Sequence, residues 1–82
     1  MTDHEIRNAV LGALQQVAPE ADAGSLDPAA DFRDQLDIDS MDFLTFVITL
    51  HESTGIEIPE RDYPKLSSLE KCVAYLGSRI PV

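Results

Sequence analysis

A serine hydroxyl flanked by three carboxylates is the feature of this sequence best suited to chemistry. Ser40 lies between Asp39 and Met41, with Asp37 and Asp42 close on either side. A strongly apolar run follows. Because serine is a preferred N-cap residue, this pattern predicts the start of a helix with Ser40 as its cap. The hydroxyl could serve as a helix cap, as a catalytic nucleophile or as the acceptor of a covalent group.

The surroundings of Ser40 do not suit a catalytic nucleophile. The sequence contains no Gly-x-Ser-x-Gly turn. On the same helix, His51 would lie about 16 Å along the axis at a rise of ~1.5 Å per residue, whereas a catalytic base must lie within roughly 3 Å of the hydroxyl. We expect His4 to be a solvated residue of the first helix. Neighbouring carboxylates oppose the oxyanion of acyl transfer. We therefore predict no catalytic residues and no enzymatic activity.

The aspartates between residues 31 and 42 raise the question of a calcium site. An EF-hand loop counted from Asp37 requires an oxygen ligand at its fifth position, glycine at its sixth and glutamate at its twelfth. Those positions hold Met41, Asp42 and Ile48. The pattern therefore fails, and we predict no metal site.

The composition indicates a small acidic globular protein. With 82 residues, the chain is predicted to form a single domain, residues 1–82. Its 15 acidic and 6 basic side chains give a formal charge of −9. A nucleic-acid partner is disfavoured because phosphate contacts need clustered lysine and arginine. The charge instead favours protein partners with basic docking surfaces.

The lack of a recognisable signal peptide and the single cysteine lead us to expect a cytoplasmic protein. Residues 1–5 lack the basic and apolar segments of a signal peptide. No apolar run approaches the ~20 residues needed to span a bilayer, so no membrane association is expected. The single cysteine, Cys72, cannot form an internal disulfide. We interpret it as a small buried apolar residue.

The spacing of apolar residues predicts an all-α fold, a small four-helix bundle of three main helices and one short helix. Thr2 and Glu5 fit a capping box for helix 1, and Pro19 should end that helix near residue 17 or 18. A long ordered loop, residues 18–39, then delivers Ser40. Within it, the pair Asp27-Pro28 is expected to start a short helical turn.

The second half of the chain supplies the remaining helices. Helix 2 is predicted over Met41–Ser53, with Gly55 as its C-terminal stop. Residues 55–59 should form an extended connector and residues 60–66 a short helical turn. Ser67 or Ser68 should cap the last helix, whose apolar face is formed by Leu69, Val73, Leu76 and Ile80.

Helix 2 has a wider apolar surface than core packing requires. A surface helix needs an apolar stripe of only about 100°, whereas the apolar residues here cover ~220°. The Met41 and Ile48 edge borders a polar strip that includes Thr45 and Glu52. We therefore predict that these four residues form a partner-recognition surface.

The sequence resembles the acyl carrier protein family. Residues 39–42, Asp-Ser-Met-Asp, are similar to its Asp-Ser-Leu/Met-Asp/Glu attachment motif, and residues 55–59, Gly-Ile-Glu-Ile-Pro, resemble its segment between the second and third helices. The resemblance implies that Ser40 carries 4'-phosphopantetheine, derived from coenzyme A, with Asp39, Met41 and Asp42 as the flanking recognition motif. It also implies a monomeric carrier of acyl thioesters in fatty-acid, polyketide or related biosynthesis. The implied partners are a phosphopantetheinyl transferase and acyl-activating, condensing or acyl-transfer enzymes.

The resemblance further implies an acyl pocket between helix 2 and the segment at residues 63–66. The residues expected to line it are Phe43, Phe46, Val47, Leu50 and Leu66. Two phenylalanines are bulky for this role, so we expect a narrowed or reshaped pocket, with ordinary core packing as the alternative.

Departures from the family pattern indicate a specialised carrier. Asp37 replaces a common glycine, and Thr45 and His51 stand where glutamates are usual in carriers of fatty-acid synthesis. Two alternatives remain open. One is a peptidyl or aminoacyl carrier, although the Gly-Gly-x-Ser pattern usual in that class is absent. The other is an acidic helical interaction domain in which Ser40 is only a helix cap.

Overall fold

The computed structural model describes residues 2–22 and 24–79. Within these residues all regular secondary structure is helical and there is no strand, which confirms the predicted fold class. Three longer α-helices are joined by a one-turn helix and a 3₁₀ helix. The elements in chain order are α1 (Asp3–Gln15), α2 (Phe32–Gln35), α3 (Ser40–Thr54), the 3₁₀ helix (Glu60–Leu66) and α4 (Leu69–Arg79).

Helix α1 begins with the predicted capping box. The Glu5 N–H donates to Thr2 Oγ1 at 3.2 Å, and the Thr2 N–H donates to Glu5 Oε1 at 3.0 Å. That backbone hydrogen bond lowers the pKa of Glu5. The α-helix ends at Gln15, slightly earlier than predicted, although the Ala18 N–H still reaches the Leu14 carbonyl at 2.8 Å. The chain therefore leaves α1 through one further hydrogen-bonded turn before Pro19.

The connection between α1 and α3 is ordered by specific contacts, as predicted. Its short helix, however, starts at residue 32 and not at Asp27-Pro28. Asp31 caps it by accepting the Arg33 N–H at 2.8 Å. Asp27 instead closes a turn by accepting the Ala29 N–H at 2.9 Å. Phe32 is fully buried, and its N–H donates to the Ser67 carbonyl at 2.8 Å. Burial of this phenylalanine therefore fixes the position of the short helix.

Helix α3 corresponds to the predicted helix 2. It ends at Thr54, one residue later than predicted, and Gly55 is the predicted C-terminal stop. Gly55 adopts a left-handed conformation with φ of 73°, which glycine reaches without steric cost. Residues 55–59 form the predicted extended connector, and the predicted helical turn at 60–66 is a 3₁₀ helix with Pro64 inside it. Ser68 Oγ accepts the Lys71 N–H at 3.2 Å, so Ser68 is the serine that caps α4.

The hydrophobic core lies where α1 packs against α3 and α4. The Phe32 and Phe46 rings meet edge to face, with centroids 5.4 Å apart. Cys72 is buried as predicted: its thiol donates to the Leu66 carbonyl at 3.3 Å, and burial raises its pKa. Ile80 lies outside the described residues. The buried apolar residues are Ile6, Val10, Ala13, Leu14, Ala18, Ala21, Leu26, Phe32, Ile38, Phe46, Val47, Leu50, Leu66, Cys72, Tyr75 and Leu76.

A buried carboxylate joins the 3₁₀ helix to α4. Asp62 accepts a 2.7 Å hydrogen bond from the Tyr75 hydroxyl and lies 3.4 Å from both Lys65 Nζ and Arg79 Nη2. Mainly because of the tyrosine hydrogen bond, the pKa of Asp62 is below its usual value despite burial. Burial and the same bond raise the pKa of Tyr75. These contacts hold the 3₁₀ helix against α4.

Candidate functional site

The start of α3 is capped by Asp39 and not by Ser40, which corrects the sequence prediction. The Asp42 N–H donates to Asp39 Oδ1 at 2.9 Å, and the Asp39 N–H donates to Asp42 Oδ2 at 3.2 Å. The two aspartates therefore form a reciprocal capping box. Ser40 is the first residue of the helix, and its side chain has no part in the capping.

Ser40 is exposed at the end of the ordered connection. The buried Ile38, two residues earlier, anchors the connection to the core and fixes where the helix begins. Asp37 and Asp39 are exposed beside the serine, and Asp42 is half-buried. Within residues 2–22 and 24–79, no basic side chain forms an ion pair with these three carboxylates. The hydroxyl therefore faces solvent in a negatively charged setting.

The predicted apolar edge of α3 is exposed. Met41 has 68% of its surface exposed and Ile48 has 50%, and these are large values for apolar side chains in so small a protein. Thr45 and Glu52 are also exposed, and the Thr45 hydroxyl donates to the Met41 carbonyl at 3.1 Å. These residues form a continuous accessible surface on the helix that begins with Ser40.

Most of the residues expected to line an acyl pocket lie in the core. Phe46, Val47, Leu50 and Leu66 are buried, and Phe43 is half-buried. The Phe43 and Phe46 ring centroids are 5.7 Å apart. The side chains behind the start of α3 are thus packed against one another.

An open groove of about 460 Å³ lies between α3 and the segment that follows it. Ile48 and Val47 contribute from α3, and the other lining residues are His51, Glu57, Ile58, Pro59, Arg61 and Tyr63. At the helix end, His51 Nδ1 lies 2.6 Å from the Ile56 carbonyl, so this nitrogen carries the proton and donates it. Of the residues predicted to line an acyl pocket, only Val47 lines this groove. The contribution of residues 57–61 was not predicted because it depends on how the connector folds back. The alternating apolar pattern of residues 56–58 was the only local signal.

Other chemistries have little support in the described part of the chain. There, no three His, Cys, Asp or Glu side chains are grouped so that they could hold a metal ion. His4 pairs with Asn8 within α1 at 3.2 Å, and His51 contacts the connector. Among the same residues, no helix is long and apolar enough to cross a membrane.

Comparison with known proteins identifies the family. Residues 6–76 match the family described as "Phosphopantetheine attachment site". The acyl carrier protein of Rubrobacter xylanophilus is 30% identical over 73 residues, which cover 85% of this chain and 90% of that protein. The chain belongs to the acyl carrier protein family.

Further relatives agree with this membership. The acyl carrier protein of Lactobacillus johnsonii is 32% identical over 78 residues, covering 95% of this chain and 96% of that protein. A mitochondrial acyl carrier protein of Arabidopsis thaliana is 30% identical over 74 residues, covering 90% of this chain and 58% of that protein. Membership confirms the resemblance read from the sequence, the carrier as opposed to enzymatic role, and covalent 4'-phosphopantetheine as the prosthetic group.

Proposed function

We propose that Ser40 is the residue to which 4'-phosphopantetheine is attached. The observation that carries this assignment is the capping of α3 by Asp39, which leaves the neighbouring Ser40 hydroxyl exposed and uninvolved in the cap. A serine that served only as a helix cap would use its oxygen for the backbone N–H groups. The alternative of an interaction domain, in which Ser40 is only a helix cap, is disfavoured because Asp39 is the cap.

The start of α3 fits a phosphodiester. The first N–H groups of a helix have no partner inside it, and the helix dipole favours negative charge at this end. Asp39 and Asp42 already accept two of the local N–H groups and repel a further anion. A phosphate on Ser40 would therefore face solvent, and the modifying enzyme would have to supply cations. Both conditions suit an attachment site that another enzyme must reach.

The prosthetic group supplies a flexible arm with a terminal thiol, on which acyl groups are carried as thioesters. The residues of this chain do no chemistry on the cargo. The fold holds Ser40 at a fixed, accessible position, and the tether raises the effective concentration of the cargo in each docked enzyme. We infer that the protein shuttles intermediates of fatty-acid, polyketide or related biosynthesis.

Partner recognition is assigned to the exposed side of α3. Asp39, Met41 and Asp42 flank Ser40 as the motif read by a phosphopantetheinyl transferase. Met41 and Ile48 offer apolar contacts to the acyl-activating, condensing or acyl-transfer enzymes, beside Thr45 and the carboxylate of Glu52. The net charge of −9 favours basic docking surfaces on these partners.

Cargo, compartment and oligomeric state complete the proposal. The acyl pocket formed by Phe43, Phe46, Val47, Leu50 and Leu66 stays a prediction, since it would require these packed side chains to separate. The departures at residues 37, 45 and 51 favour a specialised carrier over the general carrier of fatty-acid synthesis. A monomer in the cytoplasm agrees with an unpaired, buried Cys72.

Intact-mass measurement tests the attachment site. The purified chain is incubated with coenzyme A, Mg²⁺ and a broad-range phosphopantetheinyl transferase, whose competence is verified on another carrier. The wild-type chain should gain the mass of one phosphopantetheine group, and Ser40→Ala should gain none. Ser53→Ala, which removes an exposed serine near the other end of α3, is the control and should be modified normally. An unmodified wild-type chain, or modification of Ser40→Ala, would refute the assignment.

A further inference from the structure

The positive charge of this acidic protein is concentrated in its C-terminal part. Residues 60–79 contain four of the six basic side chains and only three of the fifteen acidic ones. This segment therefore carries a formal charge of +1, whereas the rest of the chain carries −10. The 3₁₀ helix and α4 differ in charge from the surface around Ser40.

A groove of about 500 Å³ lies among these basic residues. Pro64, Ala74 and Tyr75 supply apolar surface, while Lys65, Lys71 and Arg79 supply positive charge. No acidic side chain of the described residues lines the groove. The Arg79 guanidinium carbon lies 4.0 Å from the centre of the Tyr75 ring, so the charge is held over the apolar wall.

One buried carboxylate offsets only part of this charge. Asp62 is 3.4 Å from both Lys65 and Arg79, so two cations share one anion that lies beneath the surface. Lys71 is exposed and forms no ion pair with a residue of the described chain. The groove therefore keeps a net positive charge.

The basic groove continues toward the attachment site. Pro64 and Lys71 also line an adjoining groove of about 480 Å³, which extends to Asp31, Arg33 and Phe43. Phe43 follows Ser40 by less than one helical turn. A partner lying along both grooves would therefore contact the carrier beside the residue proposed to hold its arm.

We propose that the basic groove binds an acidic segment of a partner protein, one that presents an apolar side chain flanked by carboxylates. Charge complementarity selects the carboxylates, and the apolar wall selects the anchor between them. The combination of an apolar wall and exposed cations suits a peptide that offers both kinds of side chain. This contact is separate from the attachment of the arm and does not depend on Ser40.

Amide chemical shifts of the full ¹⁵N-labelled chain test the proposal. The probe is a synthetic peptide with a central phenylalanine flanked by glutamates, added at about 0.15 M salt, where a Debye length of about 8 Å screens the distant carboxylates of the chain. A peptide with lysines in place of the glutamates serves as the charge control. We expect the acidic peptide to shift the amides of residues 65 and 71–79, and the lysine peptide to leave them unchanged.

Two charge reversals then separate the groove from net charge. Lys71→Glu should weaken binding by about five- to tenfold, the effect of replacing one exposed attraction by a repulsion. Arg7→Glu, an exposed position on α1, changes net charge equally and should weaken binding by less than about twofold. Equal losses in the two variants would overturn the proposal, as would the absence of shifts in the groove. Binding of the chain to phosphatidylglycerol vesicles with no response to the peptide, or shifts of the groove amides on raising protein concentration alone, would also overturn it.

Discussion

Capping of α3 by Asp39 and modification of Ser40 can be separated by neighbouring substitutions. Asp39→Ala removes the acceptor of the 2.9 Å bond from the Asp42 N–H and breaks the reciprocal capping box. Loss of an N-cap costs about 1 kcal/mol, and loss of a carboxylate at the positive end of the helix dipole costs about 0.3–1 kcal/mol more. We therefore expect the free energy of unfolding to fall by about 1–2 kcal/mol. For a domain of this size, each 1 kcal/mol lowers the Tm by about 4–8 °C.

Ser40→Ala should leave the stability nearly unchanged but abolish the modification. Its hydroxyl is not used in the cap, and alanine is favourable within a helix, so stability should stay within about 0.5 kcal/mol of wild type. Modification by the transferase, however, should be lost completely. Asp39→Asn provides the third variant: asparagine retains the cap but loses the charge at the helix dipole, so the free energy of unfolding should fall by only about 0.3–1 kcal/mol, whereas transferase recognition of the flanking carboxylate should weaken.

Urea unfolding followed by circular dichroism at 222 nm measures the first effect, and intact mass measures the second. Both assays use unmodified protein, so that the prosthetic group does not contribute to stability. If Ser40→Ala destabilises the fold as much as Asp39→Ala does, Ser40 is a structural cap and the division of roles is wrong. If Asp39→Ala leaves stability unchanged, the capping box does not hold the start of the helix.

Three further predictions concern the fold around the site. A Cβ added at Gly55 or at Gly12 would meet no atom within 4 Å. Gly55→Ala should lower the free energy of unfolding by about 1 kcal/mol, because alanine is strained in the left-handed backbone conformation. Gly12→Ala in α1 should raise it by about 0.5–1 kcal/mol, and thermal melts that show the same sign for both variants would contradict this. The Tyr75 hydrogen bond lowers the pKa of Asp62, so the contribution of Asp62 is complete above the usual aspartate pKa of about 4 and is lost as the pH falls through the lowered value. The stability of Asp62→Asn should therefore decline less than that of wild type between about pH 5 and about pH 2, as urea unfolding at a series of pH values would show. Equal declines would exclude this contribution of Asp62. Burial raises the pKa of Cys72, so Ellman's reagent should react with this thiol only after unfolding; rapid reaction of the folded chain would show that the site opens.

Local sequence signals were sufficient for most helix boundaries but could not distinguish two adjacent capping residues. Serine and aspartate are both favoured at the N-cap, and Ser40 and Asp39 are neighbours. The capping-box spacing does discriminate, because the third helical residue is Asp42 when Asp39 is the cap, whereas it would be Phe43 if Ser40 were. The same consideration applies to α2, where burial of Phe32 favours Asp31 over the equally plausible Asp27. Tertiary packing decided that case.

The features that depend on distant parts of the chain could not be predicted. Asp62 looks like an ordinary charged residue in the segment Arg61-Asp62-Tyr63-Pro64. It is buried because Tyr75 and Arg79, 13 and 17 residues later, come together around it. The groove between α3 and the connector and the basic groove on α4 likewise form only when the 3₁₀ helix docks. Exposure of Met41 and Ile48, by contrast, followed from helical periodicity alone.

The aromatic residues behind Ser40 bear on how this carrier accommodates its cargo. Phe46 is fully buried between Phe32 of the connection and Phe43 of its own helix, with centroids 5.4 and 5.7 Å away. Because Phe32 also anchors the connection that positions Ser40, a chain inserted among these rings would disturb the placement of the attachment residue itself. Well-packed aromatic cores resist such insertion at a cost of about 1–3 kcal/mol, since inserted methylenes force side chains from their rotamers. The open groove beside Ile48 imposes no such cost. Accommodation of the acyl group in that groove would leave the start of α3 intact.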